Sequence, residues 1–224
     1  MECSPQNVAD KGSKKWIQKI INEESGLLNS EIRDNLGLSK DEDIEWLSPL
    51  KCDKYAEYFD QGFLNSLCIE LKRVPLVDFW PKGGPHWDAL GRSSSGKLFL
   101  VEAKSHIPEL ISTTRAEKEV SLEKICKSLK KTKRFLNSNT KTDWCSPFYQ
   151  YTNRLAHLYL LRELNQLPAY LVFVYFINDF EMNGPTTVDE WKGAIKLLHL
   201  YLGIGKHKLQ NSIADIFIDV TCLK

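Results

Sequence analysis

Apolar residues recur in two rhythms along this chain, one helical and one alternating, and together they predict its elements. Trp16, Ile17, Ile20 and Ile21 stand at helical spacing, so a helix is expected from Ser13 to a stop near Gly26. Residues 29–49 read as one or two shorter helical segments, with Ser39 ahead of Asp41 and Glu42 as a cap. Tyr55, Phe59, Phe63 and Leu67 predict a helix over 53–71 despite Gly62, and VPLVDFW at 74–80 reads as a strand opened by Pro75. Further helices are expected over 120–136, 147–165 and 187–202, and strands over 170–177 and 213–220. The run YLVFVYFI at 170–177 is apolar on both faces, which suits a buried strand parallel to its neighbour. Residues 1–12 read as a disordered lead, and no repeat or low-complexity segment interrupts the pattern.

The alternating rhythm is most informative over residues 85–106, PHWDALGRSSSGKLFLVEAKSH. Two apolar arms flank a Gly/Ser-rich centre, which predicts a hairpin. A pivot at Ser95 sets Asp88 across from Glu102. Side chains alternate along a strand, so Leu98, Leu100, Glu102 and Lys104 share one face while Phe99, Val101 and Ala103 fill the other. A strand that is apolar on both faces and ends in Glu and Lys buries charge, which is unfavourable unless a cation or close pairing compensates it. Hard carboxylate oxygens of this kind suit Mg²⁺ or Mn²⁺.

Other polar groups gather around this hairpin in the pattern. Glu70 falls near the apolar stripe of the 53–71 helix and Glu57 well away from it, so Glu70 is the candidate third acid, with pairing to Lys72 or Arg73 as its plain structural meaning. Gln150, Arg154 and His157 form one row on the 147–165 helix. That row either orients a phosphate or nucleobase or is an ordinary hydrogen-bonded helix margin, and His157 taken alone reads as structural. The 120–136 helix is basic and amphipathic: Lys124, Lys127 and Lys131 are either a solvated face, the commoner meaning of such a pattern, or a track for a phosphate backbone.

Composition narrows the classes. The chain has 224 residues, 42% hydrophobic and 26% charged, and a net charge of +1, so any contact with nucleic acid has to come from a local patch rather than a global field. Six cysteines form no CxxC pair, the N-terminal stretch carries no apolar signal core, and the longest apolar run is too short to span a bilayer. A cytoplasmic protein with reduced thiols and no membrane association is expected. Two regions are expected: a helical arm over 1–50 and the main domain over 51–224.

The order helix, strand, hairpin, helix, strand, with Asp88 on the second strand and Glu102-Ala103-Lys104 ending the third, resembles the PD-(D/E)XK nuclease superfamily over residues 53–177. The stretch GGPHWDALG…LVEAKSHIPEL is similar to an uncharacterised bacterial branch, and Gln150 with Arg154 is similar to the glutamine-bearing helix motif of some members. One departure is that Trp87, rather than proline, precedes Asp88. The resemblance implies a restriction-endonuclease-like α/β fold, three αβα layers around a mixed sheet with an αβββαβ core. It also implies a Mg²⁺- or Mn²⁺-dependent nuclease acting on DNA. Asp88, Glu102 and Lys104 would then be catalytic, with Asp88, Glu102 and the Ala103 carbonyl on the metal. Glu70, Gln150 and Arg154 would be accessory, and Lys124, Lys127 and Lys131 would contact nucleic acid. The alternative is a catalytically inactive module on the same fold that binds nucleic acid or joins a complex.

Overall fold

The computed structural model describes residues 2–223. It is a mixed α/β protein with seven helices and a five-stranded mixed sheet among the described residues. The chain opens with a short strand β1 (Cys3–Ser4) and two helices, α1 (Gly12–Glu23) and α2 (Ser25–Leu36). Then come β2 (Ile44–Ser48), β3 (Glu57–Tyr58), α3 (Asp60–Ser66), the single-turn α4 (Leu76–Phe79), β4 (Ala89–Ser93) and β5 (Leu98–Lys104). The second half is α5 (Glu119–Phe135), α6 (Tyr149–Tyr159), β6 (Ala169–Ile177), α7 (Val188–Leu202) and β7 (Ile213–Asp219).

The sheet runs β2-β4-β5-β6-β7, antiparallel through β5 and parallel from β5 to β7. All seven residues of β5 are buried, and its alternation divides the core. Phe99, Val101 and Ala103 meet α1 and α2 on one face, through Ile17, Ile20, Leu28 and Ile32. Leu98 and Leu100 meet α3, α5, α6 and α7 on the other, among Phe63, Ile125, Leu155 and Trp191. Residues 12–48, expected as an arm ahead of the main domain, therefore supply one helical layer and an edge strand to the same sheet. Among the described residues no helix is long and apolar enough to cross a membrane.

Several expectations need correction. The lead expected to be disordered is ordered within its described residues 2–12, where β1 pairs antiparallel with β3. The 53–71 helix shrinks to α3: Lys54, Tyr55 and Asp60 adopt left-handed backbone angles, which break the helix before it starts. Gly62 marks the tightest point, since a Cβ there would lie 2.0 Å from the Glu2 carbonyl oxygen. The strand expected over 74–80 is instead α4 and its flanks. β2, and not this segment, takes the outer edge of β4. Asn165 turns the segment instead, its Oδ1 accepting from the Arg73 and Val74 N–H groups at 3.1 Å. The helix predicted over 147–165 is α6 followed by one π turn, Leu160–Leu164. Residues 29–49, expected as helical, hold only the second half of α2 before the chain extends into β2, where Ile44 and Trp46 turn inward and the strand pairs with β4. The remaining predicted helices and strands lie within a few residues of their ranges, α7 held at its start by a Thr187–Glu190 capping box and ended by Gly203 in the left-handed region.

Candidate active site

The hairpin register is the one a pivot at Ser95 requires. Ala89 pairs with Val101 and Leu90 with Leu100, and Asp88 N–H donates to the Val101 carbonyl at 3.2 Å. Asp88 thus sits immediately before β4, across from Glu102. Its Oδ2 accepts the Ala103 N–H at 2.7 Å.

Glu102 is buried, and both of its oxygens are held by cations. Lys104 Nζ donates to Oε1, and Arg154 Nε donates to Oε2 at 2.6 Å. Lys104 also donates to Gln150 Oε1 at 3.1 Å, so two members of the α6 row reach the charged end of β5. Arg154 is itself fixed on three sides: Nη2 donates to the His86 carbonyl at 2.7 Å, Nη1 donates to Asn153 Oδ1 at 2.9 Å, and the guanidinium lies 4.7 Å above the Trp87 ring. The backbone N–H of Gln150 donates to Ser112 Oγ at 2.8 Å, which anchors the first turn of α6.

These contacts set the protonation states. Burial works against ionised Glu102, but Arg154 and then Lys104 outweigh it and hold the carboxyl below its ordinary range. Burial likewise disfavours the Lys104 ammonium, and Glu102 and Asp88 reverse that and raise it. Among the described residues no cation lies within hydrogen-bonding reach of Asp88. Burial first, and the Glu102 charge second, push its carboxyl up to about 8. The group that gains most from an added cation is therefore Asp88.

The site floors a cleft of about 1200 Å³. Asp88, Glu102, Ala103, Lys104, Gln150 and Arg154 all line it. Glu70 does not: it is exposed, beyond the end of α3. Its place is taken by Glu57 of β3, which lines the cleft, adds to the negative charge felt by Asp88, and pairs with Lys14 of α1 at 2.9 Å. A helical reading of 53–71 points Glu57 away from the site; on a strand the same residue turns inward. His157 also leaves the row, buried one turn beyond Arg154 among Phe63, Trp80 and Trp87. The outward lysines of α5 stand apart from the cleft. Lys124 donates to the Val77 carbonyl at 2.9 Å, while Lys127 and Lys131 border a separate surface groove. The cleft has its own cations, Lys82, Arg115 and Lys118, all exposed, and none has an acidic partner among the described residues. They sit in irregular loops, where periodicity carries no signal.

Among the described residues no group of three or more His, Cys, Asp or Glu side chains converges as a ready-made ion cage. The donor set nevertheless suits a hard divalent cation. Asp88 uses one oxygen on Ala103 N–H and has no donor on the other among the described residues, and Glu102 Oε1 accepts from Lys104 alone, whereas Oε2 is met by two nitrogens of Arg154. No protein-family model matches the chain, and no curated protein or solved structure matches it.

Proposed function

We propose that the chain is a metal-dependent phosphodiester hydrolase acting on DNA, built on the restriction-endonuclease-like version of its α/β fold and related to the PD-(D/E)XK nucleases. One observation carries this reading: two carboxylates from the facing arms of one hairpin lie beside a buried, charged lysine on the floor of a large cleft whose rim holds cations with no acidic partner among the described residues. Asp88, Glu102 and the Ala103 carbonyl are the residues that would hold Mg²⁺ or Mn²⁺. When bound there, such an ion stabilises charge developing on a phosphate and makes a bound water more acidic.

The protein's own groups divide the remaining work. Lys104 Nζ has three N–H bonds and uses two on Glu102 and Gln150, which leaves one for a phosphate oxygen or the attacking water. Arg154 positions Glu102, and Gln150 positions Lys104. Lys82, Arg115 and Lys118 offer point charges to a polyanion entering the cleft, a role that sequence spacing offers to Lys124, Lys127 and Lys131.

Incubation of plasmid, linear duplex, single-stranded DNA and RNA with Mg²⁺ or Mn²⁺ tests the proposal. Cleavage of DNA is expected, with a loss of about 100-fold or more in Asp88→Ala and in Lys104→Ala. Absence of cleavage by the wild type, or undiminished cleavage by both variants, overturns it.

A second reading, the inactive module, draws on the pairing of both Glu102 oxygens with cations already, Oε1 with Lys104 and Oε2 with Arg154. Calorimetric titration separates the two. Divalent binding that disappears in Asp88→Ala supports the hydrolase, and absence of binding supports the module.

A further inference from the structure

Two of the six cysteines form a pair. Cys126 on α5 and Cys145, in the segment that leads into α6, bring their sulfurs to 3.4 Å, and both are partly exposed. Among the described residues Cys3, Cys52, Cys68 and Cys222 have no such thiol neighbour. Cys126 also lines the surface groove along α5, so a small solute can reach it. A disulfide requires the sulfurs to close to about 2.05 Å, a movement within the compass of side-chain torsions.

We propose that Cys126 and Cys145 are a modification site, forming an internal disulfide with a low-molecular-weight disulfide of the glutathione type as oxidant. Cys126 Sγ, as thiolate, attacks one sulfur of the reagent; the reagent's S–S bond breaks, and the leaving thiolate takes up a proton. Cys145 Sγ then loses its proton and attacks Cys126 Sγ, which releases the second thiol. Two protein thiols are oxidised to one S–S bond while one reagent disulfide is reduced to two thiols. The order of attack agrees with the surroundings, since burial and then the neighbouring Cys126 push the Cys145 thiol up to about 12.

The bond would tie α5 to the wall of the cleft. The Cys145 carbonyl accepts the Thr114 N–H at 3.1 Å, and Ser112 N–H donates to the Pro147 carbonyl. The Ser112 carbonyl accepts from Tyr149 N–H at 3.0 Å. Residues 112–118 line the cleft and are otherwise irregular, so a covalent tether behind them restrains the loop that carries Arg115. This site does not rest on the hydrolase reading and stands or falls separately from it.

Peptide mapping of the full chain after exposure to excess oxidised glutathione, followed by acid quench and alkylation, tests it. The expected main product is a crosslinked peptide joining Cys126 to Cys145, absent from Cys126→Ser and Cys145→Ser. Amide exchange over residues 112–118 is expected to slow severalfold in the oxidised wild type. Recovery of both cysteines as free thiols or as separate glutathione adducts, while Cys52, Cys68 and Cys222 react, overturns the site. A crosslink that leaves exchange over 112–118 unchanged overturns the tether. The wild-type mapping decides the first question even if a variant fails to fold.

Discussion

Arg154 and His157 lie one turn apart on α6, both almost fully buried and both against Trp87, yet one is charged and the other is not. Arg154 stacks over the indole and spends its donors on Glu102, His86 and Asn153. His157 meets the same indole edge-on at 6.0 Å, and its Nδ1–H donates to the Asn153 carbonyl at 2.8 Å. Burial first, and then the Arg154 charge, drive its pKa down to about 3. Burial penalises either ion, and what differs is the escape open to each. An imidazole sheds its proton and remains as a neutral ring in an aromatic pocket. A guanidinium has no such exit, so it is tolerable only where a carboxylate meets it. The partner therefore decides the charge state, and it is the partnered end of the row that borders the cleft.

The largest expected effect breaks the charged end. Arg154→Met leaves Glu102 with Lys104 as its only cation and should lower stability by about 3–5 kcal/mol, read as a fall in the urea midpoint at constant slope. An unchanged midpoint would mean that Lys104 alone compensates Glu102. The neutral end should respond to pH rather than to charge removal. The folded pKa of His157 lies below its unfolded value near 6.5, so its contribution is complete above about pH 6.5. As pH falls from there towards 3, the unfolded chain takes up a proton that the folded one refuses, and stability drops by roughly 1.4 kcal/mol per pH unit. His157→Gln has no such proton to refuse. Its deficit relative to wild type at pH 7 should shrink steadily by pH 4, as followed by denaturation at each pH. A deficit that stays constant would mean that the imidazole is charged in the folded state.

How far the sequence foretold this arrangement depended on whether a residue's role was local. Alternation in LFLVEAK and the Gly/Ser turn carried enough information to set Asp88 across from Glu102, because strand period and hairpin register are properties of neighbouring residues. Gln150 and Arg154 were legible as one helix face for the same reason. Glu57 was not, since its inward turn depends on β1 pairing with β3 from more than fifty residues away. The strand β2 was not legible either, although Ile44 and Trp46 flank exposed Glu45 with a period of two; a five-residue stretch is too short to outweigh the helical signals around it. The cations of the cleft rim lie in loops, and the tertiary fold alone gathers them.

The smallest expected effects concern the exposed cations, where charge needs no partner. Lys127 and Lys131 face solvent beside a shallow groove, and Arg115 and Lys118 face the cleft. Replacing either pair with alanine should change stability by less than about 0.5 kcal/mol, in contrast with Arg154→Met. DNA binding should separate the two pairs. Removing one cation that neutralises a phosphate reduces the slope of log affinity against log salt by about 0.9 for duplex DNA. If the polyanion enters over the candidate site, Arg115→Ala with Lys118→Ala lowers the slope by up to about 1.8, while Lys127→Ala with Lys131→Ala leaves it unchanged. The reverse result would move the phosphate track onto α5, as spacing alone suggests, and leave the cleft rim without a role in binding.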